Sequence, residues 1–247
     1  YRIVRSSELA LQLAKRGEVD FLPRIHGAQW AQRVAKDKAL LARYRKVVHV
    51  TPGTAFILLN HQRPLFADKR VRRALGLLLD VPTIVGKIMH GQARRIASLY
   101  WVDDPEHDAS IQPLPFDPRG GQRLLTEAGW RDTDGDGVLD KGGKAFRFTF
   151  LLVASSKSTR RWSTIYQQQL KRAGIAMRIQ PIEWTAYLAK IRAHEFDMGT
   201  LGMALAGPYT DLYLQLHSSQ IADGQNYSAY RKPEVDEMLR RYRDGGG

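Results

Sequence analysis

The chain has 247 residues, of which 43% are hydrophobic and none is cysteine, and its formal net charge is +13. This length allows one large domain or two modest ones around a sizeable hydrophobic core. The lack of cysteine excludes disulfides, thiol nucleophiles and cysteine-ligated zinc, and it suits an oxidising compartment.

The first quarter of the sequence is predicted to mix helices with short strands. It opens on a strand-like run, residues 1–4, without the basic, apolar and cleavage regions of a signal peptide, so we expect any signal sequence to lie upstream. Ser6 or Ser7 can cap a helix that runs to Arg16, and Gly17 can end it. The next elements are predicted as a strand at 18–21, a helix at 28–45, and strands at 46–50 and 54–60.

The middle of the sequence is predicted to contain short helices and one long irregular segment. Helices are expected at 71–79 and 83–90, because Pro82 interrupts the pattern between them. Residues 100–119 hold too many prolines and aspartates for a regular element, and a helix follows at 122–128. No apolar run approaches the ~20 residues that span a bilayer.

Strands and helices alternate in the last part of the sequence. This rhythm is typical of a sheet with helical crossovers and predicts an α/β fold. The predicted elements are a strand at 146–153, a helix at 159–172, a strand at 175–182, a helix at 184–194, a strand at 196–201 and a final helix at 233–243.

Catalytic motifs are absent from the sequence. There is no nucleophile elbow, phosphate-binding loop, dinucleotide-binding glycine motif or zinc-protease motif, and none of the seven histidines has a partner at metal-ligand spacing. We therefore expect no catalytic residues and no cofactor. A hydrolase or other enzyme whose residues converge from distant positions is the remaining catalytic alternative.

Alternating aspartates form one metal-like pattern. Asp132, Asp134 and Asp136 are followed by Gly137 and Asp140, as in the first nine positions of a calcium-binding loop. The twelfth position is a glycine, so the bidentate glutamate of such a loop is missing. We therefore expect an aspartate-rich turn and no metal, with a calcium site at these four aspartates as the alternative.

The positive charge raises nucleic-acid binding as a rival function. Basic residues occur as pairs along nearly every predicted helix, with acidic residues between them, and no arginine-rich block or known nucleic-acid motif concentrates them. We expect no nucleic-acid partner and keep a basic nucleic-acid- or polyanion-binding module as the alternative.

Several segments, in a fixed order, resemble the family 5 extracellular solute-binding proteins, which include periplasmic oligopeptide- and dipeptide-binding proteins. The resemblance covers essentially the whole chain. It rests on Gly-Glu-Val-Asp at 17–20, Asn60, Arg-Pro-Leu-Phe-Ala-Asp-Lys-Arg-Val-Arg-Arg-Ala-Leu at 63–75, Leu-Asp at 79–80, Glu-Ala-Gly-Trp at 127–130, and shorter matches at 171–175, 196–197, 217–219, 226–227 and 233–236.

The resemblance implies a two-lobed α/β receptor of the type II periplasmic-binding-protein class, which closes on its ligand. This chain resembles a strip of the first lobe and the hinge region at 1–57, and most of the C-terminal lobe, with its return segment truncated, at 58–247. The implied function is the extracytoplasmic solute-binding component of an ABC importer. Such a receptor is expected to be a monomer, periplasmic or membrane-anchored, with a peptide or other small solute and the importer's membrane subunits as partners.

The resemblance also places a candidate ligand site after the strand at 196–201. Peptide-binding members carry roughly Gly-Trp-x-x-Asp-x-x-Asp-Pro there, and their first aspartate captures the peptide's amino group. Met203 here replaces the tryptophan, Ala206 the amine-binding aspartate and Tyr209 the second aspartate, with Asp211 as the nearest carboxylate that could substitute. The candidate ligand-binding residues are Met203, Ala204, Leu205, Ala206, Tyr209, Asp211 and Trp101.

Tryptophans differ in what their positions predict. Trp30, Trp162 and Trp184 lie in or at the ends of predicted helices and are expected to fill the core. Trp101 lies in the irregular segment, which has no periodic core face, so it is included among the ligand-binding candidates.

Overall fold

The computed structural model describes residues 3–4, 6–47, 53–100, 102–103, 105–204 and 211–245. Its internal contacts divide the chain into two compact units. Unit 1 comprises Tyr1–Thr51 and Thr83–Arg94, and unit 2 comprises Pro52–Pro82 and Arg95–Gly247. No helix in these described ranges is long and apolar enough to cross a membrane.

Unit 1 begins with helix α1 (Ser7–Arg16), whose two ends confirm the sequence prediction. The Ser6 hydroxyl accepts the backbone N–H of Leu9 at 3.3 Å and caps the first turn. Gly17 ends the helix with a φ of 75°, in the left-handed region that favours glycine.

The single helix predicted at 28–45 is instead three short pieces. They are α2 (Gly27–Gln32), a 3₁₀ turn (Val34–Lys36) and α3 (Lys38–Arg43). Asp37 causes the last break, because its carboxylate accepts the N–H of Leu40 at 3.0 Å and so caps a new helix.

The strand predicted at 18–21 is wrong, because these residues form no strand. The Tyr44 hydroxyl lies 2.5 Å from the carbonyl oxygen of Val19 and 3.1 Å from that of Ala14 in α1, so a side chain satisfies the Val19 carbonyl that a strand would pair. The strand predicted at 46–50 lies partly outside the described residues. Leu11, Ala14, Val34 and Leu40 form a hydrophobic cluster in the core of unit 1.

Unit 2 contains the sheet. The remaining α-helices and strands in the described residues are, in order, β1 (Gly53–Leu59), α4 (Lys69–Leu77), α5 (Val81–Thr83), α6 (Pro118–Glu127), β2 (Asp140–Lys141), β3 (Lys144–Ala145), β4 (Arg147–Val153), α7 (Lys157–Arg172), β5 (Ala176–Ile182), α8 (Trp184–Arg192), β6 (Met198–Ala204), α9 (Tyr213–Leu216) and α10 (Pro233–Arg243). Two 3₁₀ turns, Pro64–Phe66 and Ser218–Gln220, lie between them. The elements predicted after residue 53 recur with ends shifted by a few residues, except at 83–90. There a π-helical turn, Ile84–Ile88, replaces the predicted α-helix.

The four-stranded sheet has the order β1-β6-β4-β5, which makes β1 and β5 the edge strands. β4 and β5 run parallel along their full length, from Arg147↔Ala176 to Val153↔Ile182. β6 runs parallel to β4 and antiparallel to β1. The predicted α/β fold with helical crossovers is therefore confirmed.

Apolar side chains cover both faces of this sheet. On one face Phe148 and Phe150 of β4 are buried and meet Phe66 and Trp162, with ring centroids 5.5 Å apart in each pair. On the other face Leu151 packs against α8. Helices cover both faces of the sheet and bury its central strands, whereas the ends of the strands are not covered by these helices.

The arginine-rich helix α4 is held by local hydrogen bonds. Asp68 caps it by accepting the N–H of Arg70 at 2.8 Å, and the Arg70 guanidinium contacts the same carboxylate at 2.6 Å. These bonds lower the pKa of Asp68 to about 2. Arg72 donates to the carbonyl oxygens of Phe66 and Ala67. The motif at 63–75 thus anchors α4 through its arginines.

Candidate functional site

Three strands of unit 2 end at one edge of the sheet. β4 ends at Val153, β5 at Ile182 and β6 at Ala204, and the antiparallel strand β1 begins beside them at Gly53. Ligands of open α/β sheets bind outside the carboxyl ends of the strands. We therefore take this carboxyl edge as the candidate functional site.

Near this edge β6 separates from β4. Their ladder consists of the single pair Phe150↔Met198, whereas β4 and β5 share seven pairs. Beyond Met198 the Tyr187 hydroxyl donates to the carbonyl oxygen of Thr200 at 2.6 Å and accepts its N–H at 2.7 Å. A side chain from α8 therefore takes the place of the neighbouring strand.

The next backbone groups on this side of β6 belong to Gly202. The N–H of Asn60 donates to Asp197, so Asp197 and every second residue after it face β1. Thr200 and Gly202 consequently turn their N–H and C=O groups toward β4. Gly202 is exposed, and among the residues that the structure describes a β-carbon built on it meets only the Thr54 carbonyl, at 3.6 Å. Its backbone can therefore pair with an extended ligand chain.

An aromatic side chain borders the same edge. Trp184 follows β5 directly, is 49% exposed, and stacks on Tyr187 with ring centroids 6.2 Å apart. The expectation that Trp184 fills the core is wrong, whereas Trp162 is buried as predicted.

Thr54, opposite Met203 in the ladder, has a buried hydroxyl without a hydrogen-bond partner among the described residues.

The ligand-binding residues predicted from sequence are only partly described. Met203 and Ala204 form the last two positions of β6, opposite Thr54 and Gly53. Met203 is half-buried and Ala204 is exposed, so both border the carboxyl edge. Leu205, Ala206, Tyr209 and Trp101 lie outside the described residues.

Asp211 is already engaged by a cation. Its carboxylate contacts Arg243 of α10 at 2.5 and 2.8 Å and accepts the N–H of Tyr213 at 2.8 Å. The Arg243 guanidinium also lies 3.8 Å above the Tyr213 ring, which stacks on His217. Burial acts to raise the pKa of Asp211, but the bonds from Arg243 and Tyr213 outweigh it and leave that pKa below its ordinary value. The carboxylate is thus ionised and neutralised within the chain.

The aspartate-rich segment forms a hydrogen-bonded turn. The carboxylates of Asp132, Asp134 and Asp136 come within 4.8 Å of one another, and each accepts a backbone N–H of the same segment. Asp140 is not in this group, because its carboxylate is bound by Thr133. These contacts are those of the aspartate-rich turn, and the three grouped carboxylates retain oxygen atoms of the type that calcium prefers.

Sequence reasoning did not identify Tyr187 or the Asp211–Arg243 pair. Tyr187 occupies a helix position where an aromatic residue ordinarily predicts core packing, and its hydroxyl partner is 13 residues away. Asp211 and Arg243 are 32 residues apart. Only the fold brings these groups together, so no local pattern could have indicated them.

Known structures share this fold. Oligopeptide-binding protein AppA of Bacillus subtilis, solved with a nonapeptide, superposes with a TM-score of 0.78 over 97% of this chain and 47% of its own, at 29% identity. NikA of Brucella suis, solved with Fe(III)-EDTA, gives a TM-score of 0.82 over 97% of this chain and 48% of its own. At 20% identity the likeness to NikA shows the fold alone. The fold is that of type II periplasmic binding proteins.

Sequence comparison identifies relatives of about twice this length. AppA is 29% identical over 249 residues, which cover 97% of this chain and 44% of AppA. Protein XP55 of Streptomyces lividans is 32% identical over 175 residues, which cover 70% of this chain and 31% of XP55. The model of the middle region of bacterial extracellular solute-binding proteins, family 5, matches residues 1–224. The chain therefore belongs to the family 5 bacterial extracellular solute-binding proteins.

Proposed function

We propose that this chain is part of the extracytoplasmic solute-binding component of an ABC importer, and that its carboxyl sheet edge forms one wall of the ligand site. The observation that carries the proposal is the exposed backbone of Gly202, beside the point where Tyr187 replaces the neighbouring strand. The oligopeptide-binding role stated for AppA, at 29% identity, supports the same class of ligand.

The whole receptor binds its solute in a cleft between two lobes. Residues 1–57 belong to the first lobe and the hinge, residues 58–247 form most of the C-terminal lobe, and the rest of the first lobe lies outside this chain. Affinity in such receptors needs both lobes to enclose the solute, so the whole protein binds far more tightly than residues 1–247 alone. It acts as a periplasmic or membrane-anchored monomer that delivers solute to the importer's membrane subunits.

The ligand is a peptide-like chain or another small solute without a free ammonium group. An extended backbone satisfies the N–H and C=O of Gly202, and Met203 offers an apolar, adaptable neighbour. A free amino terminus would need a carboxylate, and Asp211 is already paired with Arg243.

The proposal is tested with two proline substitutions at paired positions of β6 and β1. One removes a backbone N–H that faces the site, and the other removes a backbone N–H that faces away from it. Gly202→Pro in the full-length protein deletes the N–H that faces the site. Ala55→Pro is the matched control, because Ala55 lies opposite Gly202 in the ladder and its N–H points to the outer edge of β1. We expect Gly202→Pro alone to weaken binding of a tightly bound ligand by about two- to ten-fold, the contribution of one hydrogen bond.

The measurement is calorimetric titration, with thermal melts of both variants as the folding check. Wild-type affinity in a folded Gly202→Pro protein would show that this backbone group does not contact the ligand. Equal weakening by both variants would indicate damage to the sheet, and Gly202→Ala, which keeps the N–H, would then separate the two causes.

A further inference from the structure

The positive charge of the chain is concentrated in one unit. Unit 1 has 63 of the 247 residues, with 13 lysines and arginines against four aspartates and glutamates. It therefore carries +9 of the chain's formal charge of +13. This segregation is hidden in the sequence, because Thr83–Arg94 joins Tyr1–Thr51 only in the folded chain.

Most of the acidic groups in unit 1 are already paired. Glu8 binds Arg33, Asp37 lies 2.8 Å from Lys15, and Glu18 lies 3.8 Å from Arg16. These pairs neutralise few of the cations, so the unit presents an excess of unpaired positive charge to its surroundings.

The excess is densest in residues 36–47, which we call the cationic segment. Its five basic residues are exposed, and none forms a salt bridge with a described residue; they are Lys36, Lys38, Arg43, Arg45 and Lys46. The Lys46 ammonium lies 4.1 Å above the Trp30 ring, a contact that leaves its charge unneutralised. Its one acidic residue, Asp37, is the partner of Lys15.

Exposed aliphatic side chains lie among these cations. Leu41 is 39% exposed and Val47 is 75% exposed, whereas Leu40 alone in α3 is buried. Basic residues together with a few exposed apolar ones are found in segments that lie at the surface of a membrane, where cations meet headgroups and aliphatic groups enter the acyl boundary. A soluble polyanion would use the cations and leave the aliphatic groups in water.

We propose that the cationic segment binds anionic phospholipid headgroups, and so holds the receptor against the membrane surface. Each lysine or arginine near an anionic surface adds attraction, and five within eleven residues reach the density of known polybasic segments. Leu41 and Val47 add apolar contact that depends on a lipid interior.

The test measures co-sedimentation of the full-length protein with lipid vesicles. Vesicles of pure phosphatidylcholine are compared with vesicles in which about half of it is replaced by phosphatidylglycerol. We expect binding to the anionic vesicles only, weakened by salt because the Debye length shortens. Lys38→Glu/Arg45→Glu should lower the partition coefficient at least about 30-fold, from the loss of two cations alone.

Matched controls make the same changes in unit 2. Arg231→Glu/Lys232→Glu changes the net charge by the same amount at two exposed positions. This variant should bind the anionic vesicles several-fold more strongly than the Lys38→Glu/Arg45→Glu variant. Leu41→Ser/Val47→Ser should weaken binding, whereas Met238→Ser, at a residue that is 68% exposed, should not.

Three outcomes would overturn the proposal. The full-length protein could ignore anionic vesicles, which would mean that the remainder of the receptor covers this segment. The two charge-reversal variants could lose binding equally, which would indicate a general electrostatic effect. Soluble polyglutamate could compete fully while Leu41→Ser/Val47→Ser has no effect, which would favour an acidic protein partner. We expect ligand titration of the same variants to give the wild-type affinity whichever outcome is found, so the proposed function is tested separately.

Discussion

His61 follows β1, and its pKa lies well below the ordinary value of a histidine. Its ring meets Tyr230 edge-on at 5.6 Å, and its backbone N–H donates to the Ser228 carbonyl oxygen. Burial, with a smaller contribution from the nearby Arg72 cation, lowers the pKa of His61 to about 4. The folded protein therefore holds this ring neutral at pH values where an unfolded chain would protonate it.

This depressed pKa predicts a loss of stability in mild acid. The unfolded chain gains a proton near pH 6.5 and the folded chain only near pH 4, so the free energy of unfolding falls as the pH is lowered through this window. The ring is partly exposed, and solvent screening reduces the effect to about 1–2 kcal/mol. Urea denaturation at a series of pH values gives the free energy of unfolding as a function of pH. The slope of this free energy against pH should be smaller for His61→Gln than for the wild type. The exposed His26→Gln should keep the wild-type slope, and a His61→Gln slope equal to wild type would contradict the assignment.

Residues that act within one turn could be predicted from the sequence. Ser6 and Gly17 bound α1 because capping needs only a hydroxyl and a left-handed position beside the helix. Gly202 as a backbone donor could not be predicted, because its direction depends on the register of β6 against β1. The ion pair of Asp211 could not be predicted either, because its partner Arg243 lies on α10 and comes close only in the folded chain.

Among the elements, α8 carries the side chain that shapes the candidate site. The Tyr187 hydroxyl satisfies both backbone groups of Thr200, while burial raises the pKa of Tyr187 above its ordinary value. Tyr187→Phe removes the partner of two partly buried backbone groups and should lower the free energy of unfolding by about 1–3 kcal/mol. Because β6 then loses its support at the carboxyl edge, ligand affinity should fall as well.

Tyr166→Phe is the control at the level of the element. Its hydroxyl donates to the Leu75 carbonyl oxygen at 2.8 Å and so links α7 to α4, on the face of the sheet opposite α8. Urea denaturation should show a comparable loss of stability in this variant, while calorimetry shows unchanged ligand affinity. If Tyr187→Phe destabilised the protein without changing affinity, the hydroxyl would be structural only.

The order of elements in unit 2 followed from the sequence because buried strands and amphipathic helices leave different periodicities. The elements of unit 1 were predicted less accurately from the sequence. Asp37 was read as an interior helix residue at 28–45, yet its short carboxylate caps a new helix at Leu40. At 18–21 only Val19 and Phe21 favour a strand, no described strand pairs with these residues, and the Tyr44 hydroxyl binds the Val19 carbonyl instead.

At the scale of the whole molecule, the chain spans less than half of the relatives and structures with which it was compared. A receptor's selectivity belongs to the complete cleft, so it must be measured on the full-length protein. The proposed site in this chain carries an expectation about what the cleft recognises. The resemblance places Ala206 where peptide-binding members of the family have their amine-binding aspartate, and the nearest carboxylate, Asp211, is held by Arg243.

The final prediction is that the full-length receptor prefers solutes without a free ammonium. A missing charge-assisted hydrogen bond costs about 1.5–3 kcal/mol, or about ten- to a hundred-fold in affinity for a free amino terminus. In a competition titration, N-acetylated di- to pentapeptides should therefore bind at least as tightly as their free forms. The alternative is that a ligand ammonium displaces Arg243 from Asp211. Free peptides would then bind more tightly than acetylated ones, Asp211→Ala would abolish the difference, and Arg243→Ala, which frees the carboxylate, would increase it.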